Sequence, residues 1–262
     1  MNISIIGLGW LGEPLAESLL KGGHSIYGST RSVKKQFEFQ NRGIHTFIFD
    51  LEQSEKTPLK DIESIDLLII TIPPLKRETP DYYGEKLVEI ASSFPSTTKI
   101  IFTSSTSVYS KASGIYGELS TKLVVTSSVF KAESALTKLL KSRLTVLRLG
   151  GLVGVNRHPV NSIQGKQNIK NPCGIINFVH QNDVIRAIHK IIQEDNFGEI
   201  YNLVNPHHPT REEFYTDLIE KNGLLPIEFD NSSDIIRRKI NSSKIINALD
   251  FTFTSPINTL NK

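Results

Sequence analysis

The run Asn2-Ile3-Ser4-Ile5-Ile6-Gly7-Leu8-Gly9-Trp10-Leu11-Gly12 decides the fold of this chain. Its first five residues read as a short β-branched strand, and Glu13–Lys21 reads as a helix stopped by Gly22-Gly23. Between them Gly7, Gly9 and Gly12 fit G-x-G-x-x-G, a weak pattern by itself. After a strand and at the opening of a helix, it predicts a dinucleotide site. Gly7 allows the tight turn, Gly9 lets the backbone approach a pyrophosphate, and Gly12 lets helix and strand pack closely. The phosphates would meet N–H groups at the helix N-terminus, favoured by its dipole. The bland alternative is three loop glycines without a ligand.

Outward from this motif, short apolar runs alternate with amphipathic stretches, the pattern of βαβ units. Strands are expected at His24–Gly28, Ile44–Asp50, Asp66–Ile72, Lys99–Thr103, Leu144–Leu149 and Ile200–Val204. Helices are expected at Ser32–Asn41, Asp81–Ser93, Ser128–Leu140 and Asp183–Gln193. The near-continuous apolar run at Asp66–Ile72 suits a parallel strand covered on both faces. The class is therefore α/β, a Rossmann-type doubly wound parallel sheet of six or seven strands. Residues 1–154, completed by 178–205, are expected to form the NAD(P)-binding domain. Residues 155–177 and 206–262 would make a small C-terminal substrate lobe beside the carboxyl edge of the sheet. Val155–Ile176 is polar and loop-like, Thr210-x-x-Glu213 is a capping box, and a short helix is expected near Ser243–Leu249.

Composition narrows the function classes. A net charge of +3 over 262 residues, with no basic stripe, argues against nucleic acid as a partner. A lone cysteine, Cys173, excludes an internal disulfide and a cysteine-built metal site. No apolar stretch approaches the roughly 20 residues of a membrane helix, and the chain enters a strand at once. A cytoplasmic protein with no bound metal and no membrane partner is expected. The second strand bears on the cofactor. NAD sites usually place a carboxylate there for the ribose hydroxyls, whereas this chain offers Ser29-Thr30-Arg31-Ser32. Thr30 and Arg31 suit a 2′-phosphate through charge-assisted bonds, so NADP is favoured, with NAD as the other choice.

Ile101-Phe102-Thr103-Ser104-Ser105-Thr106-Ser107-Val108-Tyr109 resembles the serine-rich turn and Val-Tyr-Gly of the extended short-chain dehydrogenase/reductase family, the NAD-dependent epimerase/dehydratases. Asp50-Leu51 resembles its Asp-Leu after the third strand, and Leu147–Gly154 its Leu-Arg segment after the sixth. Phe178–Val184 is similar to its Val-His-x-x-Asp-Val, and Tyr201-Asn202-Leu203 to its late Tyr-Asn strand. Arg157-His158-Pro159 suits an atypical branch.

The resemblance implies that Ser105 is the catalytic hydroxyl and that Asp50 and Leu51 contact the adenine. It places Trp10, Leu11, Ile72, Pro73, Ser104 and Leu149 along the cofactor, and it implies dimerisation through the helices at Asp81–Ser93 and Ser128–Leu140. Two departures stand out. The phosphate loop is shorter than the family's G-x-x-G-x-x-G. The catalytic Y-x-x-x-K is missing, its window reading Val124-Val125-Thr126-Ser127-Ser128-Val129-Phe130-Lys131-Ala132-Glu133. Tyr82…Lys86 precedes Ser105 and is read as coincidence.

Substitute acids would be Tyr109, His158 or His180, with Arg148, His158 and Asn161 holding substrate. The leading expectation is an NAD(P)-dependent reductase, epimerase or dehydratase acting on a nucleotide-sugar or another small polar substrate. The alternative is a non-catalytic NADP(H)-binding redox sensor. A β-hydroxyacid dehydrogenase, with its all-helical C-terminal domain, is disfavoured by the strands at Leu144–Leu149 and Ile200–Val204.

Overall fold

The computed structural model describes residues 1–52, 64–74 and 79–260. A seven-stranded sheet is built from β1 (Asn2–Ile6), β2 (Ser25–Thr30), β3 (His45–Ile48), β4 (Leu67–Ile70), β5 (Lys99–Ser105), β7 (Leu144–Leu149) and β10 (Ile200–Leu203). Its order is β10-β7-β5-β4-β1-β2-β3. The pairs β1·β2, β1·β4, β2·β3 and β4·β5 are parallel, with Ile5 opposite both Gly28 and Ile69. The seven strands match the seven apolar runs of the sequence. All of Leu67–Ile70 is buried, which is why that run carries no polar alternation.

The chain divides into two compact units. The first comprises the described residues of Met1–Val108, Val124–Leu147 and Ile191–Ile200. It carries α1 (Gly12–Lys21), α2 (Val33–Asn41), α3 (Pro80–Ser92) and α4 (Ser128–Leu140). Ser32 caps α2 by accepting from Lys35 N at 3.4 Å, and Ser127 caps α4 by accepting from Phe130 N at 3.2 Å. Helices α3 and α4 approach closely at Gly84, where a Cβ would lie 3.3 Å from Ala132 Cα. Ile100, Phe102, Leu87 and Leu136 fill the core beneath them.

The second unit comprises Tyr109–Leu123, Arg148–Lys190 and the described residues from Tyr201 onward. The capping box on α7 (Arg211–Asn222) forms with both of its bonds, and α8 spans Ser243–Leu249 as expected. Two strand pairs here escaped the sequence reading: β6 (Gly114–Tyr116) with β11 (Arg238–Ile240), and β8 (Gly151–Val153) with β9 (Phe178–His180). Each strand has three residues, too few to show a period. Val155–Ile176, expected as loop throughout, contains the single turn α5 (Val160–Ile163), while α6 spans Gln181–Gln193. Phe214, Leu218, Val160 and Ile257 anchor this unit's own core.

Candidate dinucleotide site and polar clusters

The glycine loop is held at both sides. Leu8 N donates to Ser29 O (2.8 Å) and Gly7 N to Ser29 Oγ (2.9 Å), while Thr71 Oγ1 donates to Gly7 O at 2.6 Å. This fastens the end of β1 to β2 and β4 and leaves each glycine a different reason to be there. Gly7 sits at φ +107°, and a Cβ on it would come within 2.8 Å of Ile72 Cγ2. A Cβ on Gly12 would lie 2.0 Å from Gly7 O, so α1 packs against the loop with no room for one methyl. Gly9 is exposed, and a Cβ there would meet nothing within 4 Å. The loop thus has two glycines that serve packing and one that faces open space, the cradle a pyrophosphate needs.

That space belongs to a cavity of about 720 Å³ at the carboxyl ends of the strands, where open α/β sheets bind ligands. Gly7, Gly9, Thr30 and Arg31 line it on one side; Asp50, Leu51, Ile72 and Pro73 line it on another. Eight residues expected at a cofactor therefore converge. Trp10 is half-buried and Leu11 buried at the loop–helix junction. Asp50 Oδ1 accepts from Glu52 N at 3.1 Å.

The sequence reading missed Lys35, which lines the same cavity as Arg31 and Ser32. The available signal was spacing. Lys35 lies three residues beyond Ser32, the N-cap of α2 that lines the same cavity, and its backbone N donates to Ser32 Oγ.

At the end of β5 the serines divide. Ser104, expected along the cofactor, is buried and donates its hydroxyl to the buried Glu133 of α4, so its side chain is committed to the helix. Ser105 is half-buried, and its Oγ accepts from Ser107 N at 3.1 Å. Its own O–H is left over from that bond. Lys131, adjacent to the missing Y-x-x-x-K, pairs with Asp81 of α3 at 2.5 Å.

The second unit holds the proposed acids, and burial decides what they can do. Tyr109 is 0% exposed; it donates to Asn202 Oδ1 (2.7 Å) and accepts from Arg148 Nη1 (2.9 Å). Desolvation pushes its phenol above the usual tyrosine value despite the nearby guanidinium. Tyr109, expected as an acid, and Arg148, expected at the substrate, are partners in a buried polar cluster. Its third member, Asn202, lies 93 residues from Tyr109, and no local pattern shows it.

His158 is likewise buried. Val160 N donates to its Nδ1 (3.3 Å), so Nε2 carries the hydrogen and donates to Ile257 O (3.1 Å). Both ring nitrogens meet backbone groups, and the ring lines a cavity of this unit. His180 is 3% exposed and accepts from Asn182 N at its Nδ1 (3.1 Å). Leu149 is buried at the end of β7. Asn161 is exposed and lines a second cavity of about 510 Å³, within this unit, together with His158, Asn156 and Arg157.

Burial also makes a prediction about pH. His158, His180 and His208 are all held below their ordinary value of 6.5, chiefly by desolvation. In the unfolded chain each takes up a proton near 6.5, while the folded chain resists it. As pH falls through 6.5 the unfolded state binds more protons, so stability drops. The melting temperature should be nearly flat above about pH 7.5 and fall steadily between roughly pH 7 and 5. A melting temperature that rises on acidification across that window would contradict this account.

The NAD-binding domain of 6-phosphogluconate dehydrogenase matches residues 2–126. Protein YeeZ of Escherichia coli (strain K12) is 36% identical over 266 residues, covering 97% of this chain and 96% of YeeZ. The chain belongs to the YeeZ family. Solved structures share its fold at lower identity. A functionally unknown conserved protein from Silicibacter pomeroyi DSS superposes with a TM-score of 0.77 at 19% identity, over 97% of this chain and 94% of the other.

UDP-glucuronic acid 4-epimerase from Bacillus cereus, in complex with UDP-glucuronic acid and NAD, gives 0.77 at 17% identity over 98% and 96%. MoeE5 in complex with UDP-glucose and NAD gives 0.76 at 16% over 98% and 95%. This member of the YeeZ family thus carries an NAD-binding domain in a Rossmann-type fold. None of its described helices is long and apolar enough to cross a membrane, and no group of three His, Cys, Asp or Glu among the described residues could hold a metal.

Proposed function

We propose that this chain is an epimerase/dehydratase-like NAD(P)-dependent oxidoreductase of the extended short-chain dehydrogenase/reductase type. In this reading it prefers NADP(H) and acts on a nucleotide-sugar or another small polar substrate. The observation that carries the reading is the first unit's cavity, where an open Gly9 cradle and the two cations Arg31 and Lys35 share one space. The residues fit the cofactor: Gly7 and Gly9 admit its pyrophosphate, Asp50 and Leu51 its adenosine half, and Arg31, Ser32 and Lys35 a 2′-phosphate. When bound, a nicotinamide dinucleotide supplies hydride transfer. Ser105 would hold the reacting substrate oxygen with the O–H that its bond from Ser107 leaves over. Asn161, exposed in the second unit, is the substrate-side group of this proposal.

One observation favours a second reading, a redox sensor that holds the dinucleotide without turnover. The acids that were to replace the missing tyrosine are buried, and His158 has both nitrogens engaged by backbone. A positioned acid contributes about 10²–10⁴-fold to rate. The decisive experiment is a fluorescence titration with NADPH and NADH, followed by turnover assays on nucleotide-sugars and simple carbonyls. Tighter NADPH binding with turnover supports the oxidoreductase; tight binding without turnover supports the sensor; no binding of either dinucleotide overturns both.

A further inference from the structure

The cavity that holds Arg31 and Lys35 is flanked by a carboxylate that the cofactor reading leaves unused. Glu13, at the start of α1, is a partly exposed side chain shared between two cations of α2 and its C-terminal end. Its Oε2 lies 3.5 Å from Lys35 Nζ, and its Oε1 lies 2.9 Å from Arg42 Nη2. The two contacts differ in what depends on them. Arg42 has a second carboxylate in Glu17 and stacks over Phe39 with its guanidinium 4.8 Å from the ring centre. Lys35 has Glu13 as its carboxylate, at a long distance, and its ammonium lies 5.9 Å from the same ring. Lys35 therefore faces Glu13 on α1 and also lines the cavity.

We propose that Glu13 is a specificity-determining residue that sets how strongly the site discriminates a 2′-phosphorylated dinucleotide, by competing with the 2′-phosphate for Lys35. This rests on the reading that Arg31 and Lys35 receive such a phosphate. The physical reason is that an ammonium already balanced by a carboxylate gains less from a second anion than an unbalanced one does. A carboxylate near the cavity also repels the incoming charge. NAD(H) has no charge at the 2′ position, so it is indifferent to this competition. Any effect of Glu13 on the pyrophosphate is common to both dinucleotides and cancels in the ratio of their dissociation constants. Because both side chains are substantially exposed, the effect belongs to the range of surface ion pairs, about two- to fivefold.

The test is to measure Kd for NADPH and NADH by nicotinamide fluorescence at low salt on the wild type, Glu13→Gln, Glu17→Gln, Lys35→Met and the double variant Glu13→Gln/Lys35→Met. A thermal melt of each variant checks folding. Glu13→Gln should raise the preference for NADPH about two- to fivefold. Glu17→Gln, which removes a carboxylate from the same helix but touches Arg42 instead of Lys35, should leave the ratio unchanged. In the Lys35→Met background the Glu13 substitution should change the ratio less than it does in the wild type, because only the direct repulsion is left. Near 1 M salt, where screening reaches about 3 Å, the Glu13→Gln effect should vanish. A wild type that prefers NADPH while Glu13→Gln leaves the ratio unchanged or lowers it overturns the role of Glu13 alone. A wild type with no preference for NADPH overturns the cofactor reading and this inference with it.

Discussion

Gly9→Val should abolish dinucleotide binding and leave the melting temperature where it is, whereas Gly12→Ala should do the reverse damage and unfold the protein at lower temperature. The contrast follows from what a Cβ meets at each site. At Gly9 a Cβ meets nothing within 4 Å, so a branched side chain starts from the open space of the cavity. It then stands where the loop would cradle a pyrophosphate, and the loss should exceed about a hundredfold in affinity, more than one charge-assisted bond supplies. At Gly12 a single methyl would sit 2.0 Å from Gly7 O. Relief requires α1 to move off β1, and overpacking of this kind costs about 3 kcal/mol or more. For a chain of this length that corresponds to roughly 10 °C. Retained binding in Gly9→Val, measured by equilibrium dialysis on folded protein, would place the phosphates elsewhere. An unshifted melting temperature in Gly12→Ala would show that the helix–loop contact is softer than its geometry.

Arg31→Ala carries the second large effect. Arg31 is exposed at the edge of the cavity, beside Thr30, Ser32 and Lys35. A charge-assisted bond to a phosphate is worth about 1.5–3 kcal/mol, so NADPH binding should weaken roughly ten- to a hundredfold. NADH, with a plain ribose hydroxyl at that position, should change by less than about twofold, which separates this contact from general damage to the loop. Equal losses for both dinucleotides would assign Arg31 to the pyrophosphate or to α2 itself. No loss for either would remove the basis for NADP preference.

Much of the architecture was legible before any coordinates. Alternating apolar runs located all seven strands of the main sheet, because burial on both faces leaves a continuous apolar signature at β4 and its neighbours. The Thr210–Glu213 box was legible because a cap is a contact between residues three apart. The glycine loop was legible for the same reason, since strand, turn and helix are contiguous there. Asp50, Leu51, Ile72 and Pro73 came from the resemblance to a known family, and they line one cavity with the glycines.

What local spacing does not contain is which polar side chain ends up buried, and against what. Ser104 and Ser105 are neighbours of the same type. Strand alternation sends the first to Glu133 of α4, 29 residues on, and leaves the second half-exposed with a hydroxyl to give. Tyr109, Arg148 and His158 read as chemistry because their residue types can do chemistry. Asn202 and Ile257, 93 and 99 residues from Tyr109 and His158, supply hydrogen-bond partners that neither segment shows. The pairing of β6 with β11 joins residues more than 120 positions apart and is equally invisible in either segment. Residue order carries what is periodic or contiguous: the strands, the helices, the capping box and the phosphate loop. The fate of the polar groups is settled by the folded chain, because a buried donor or acceptor must be paired and its partner can come from any part of the sequence.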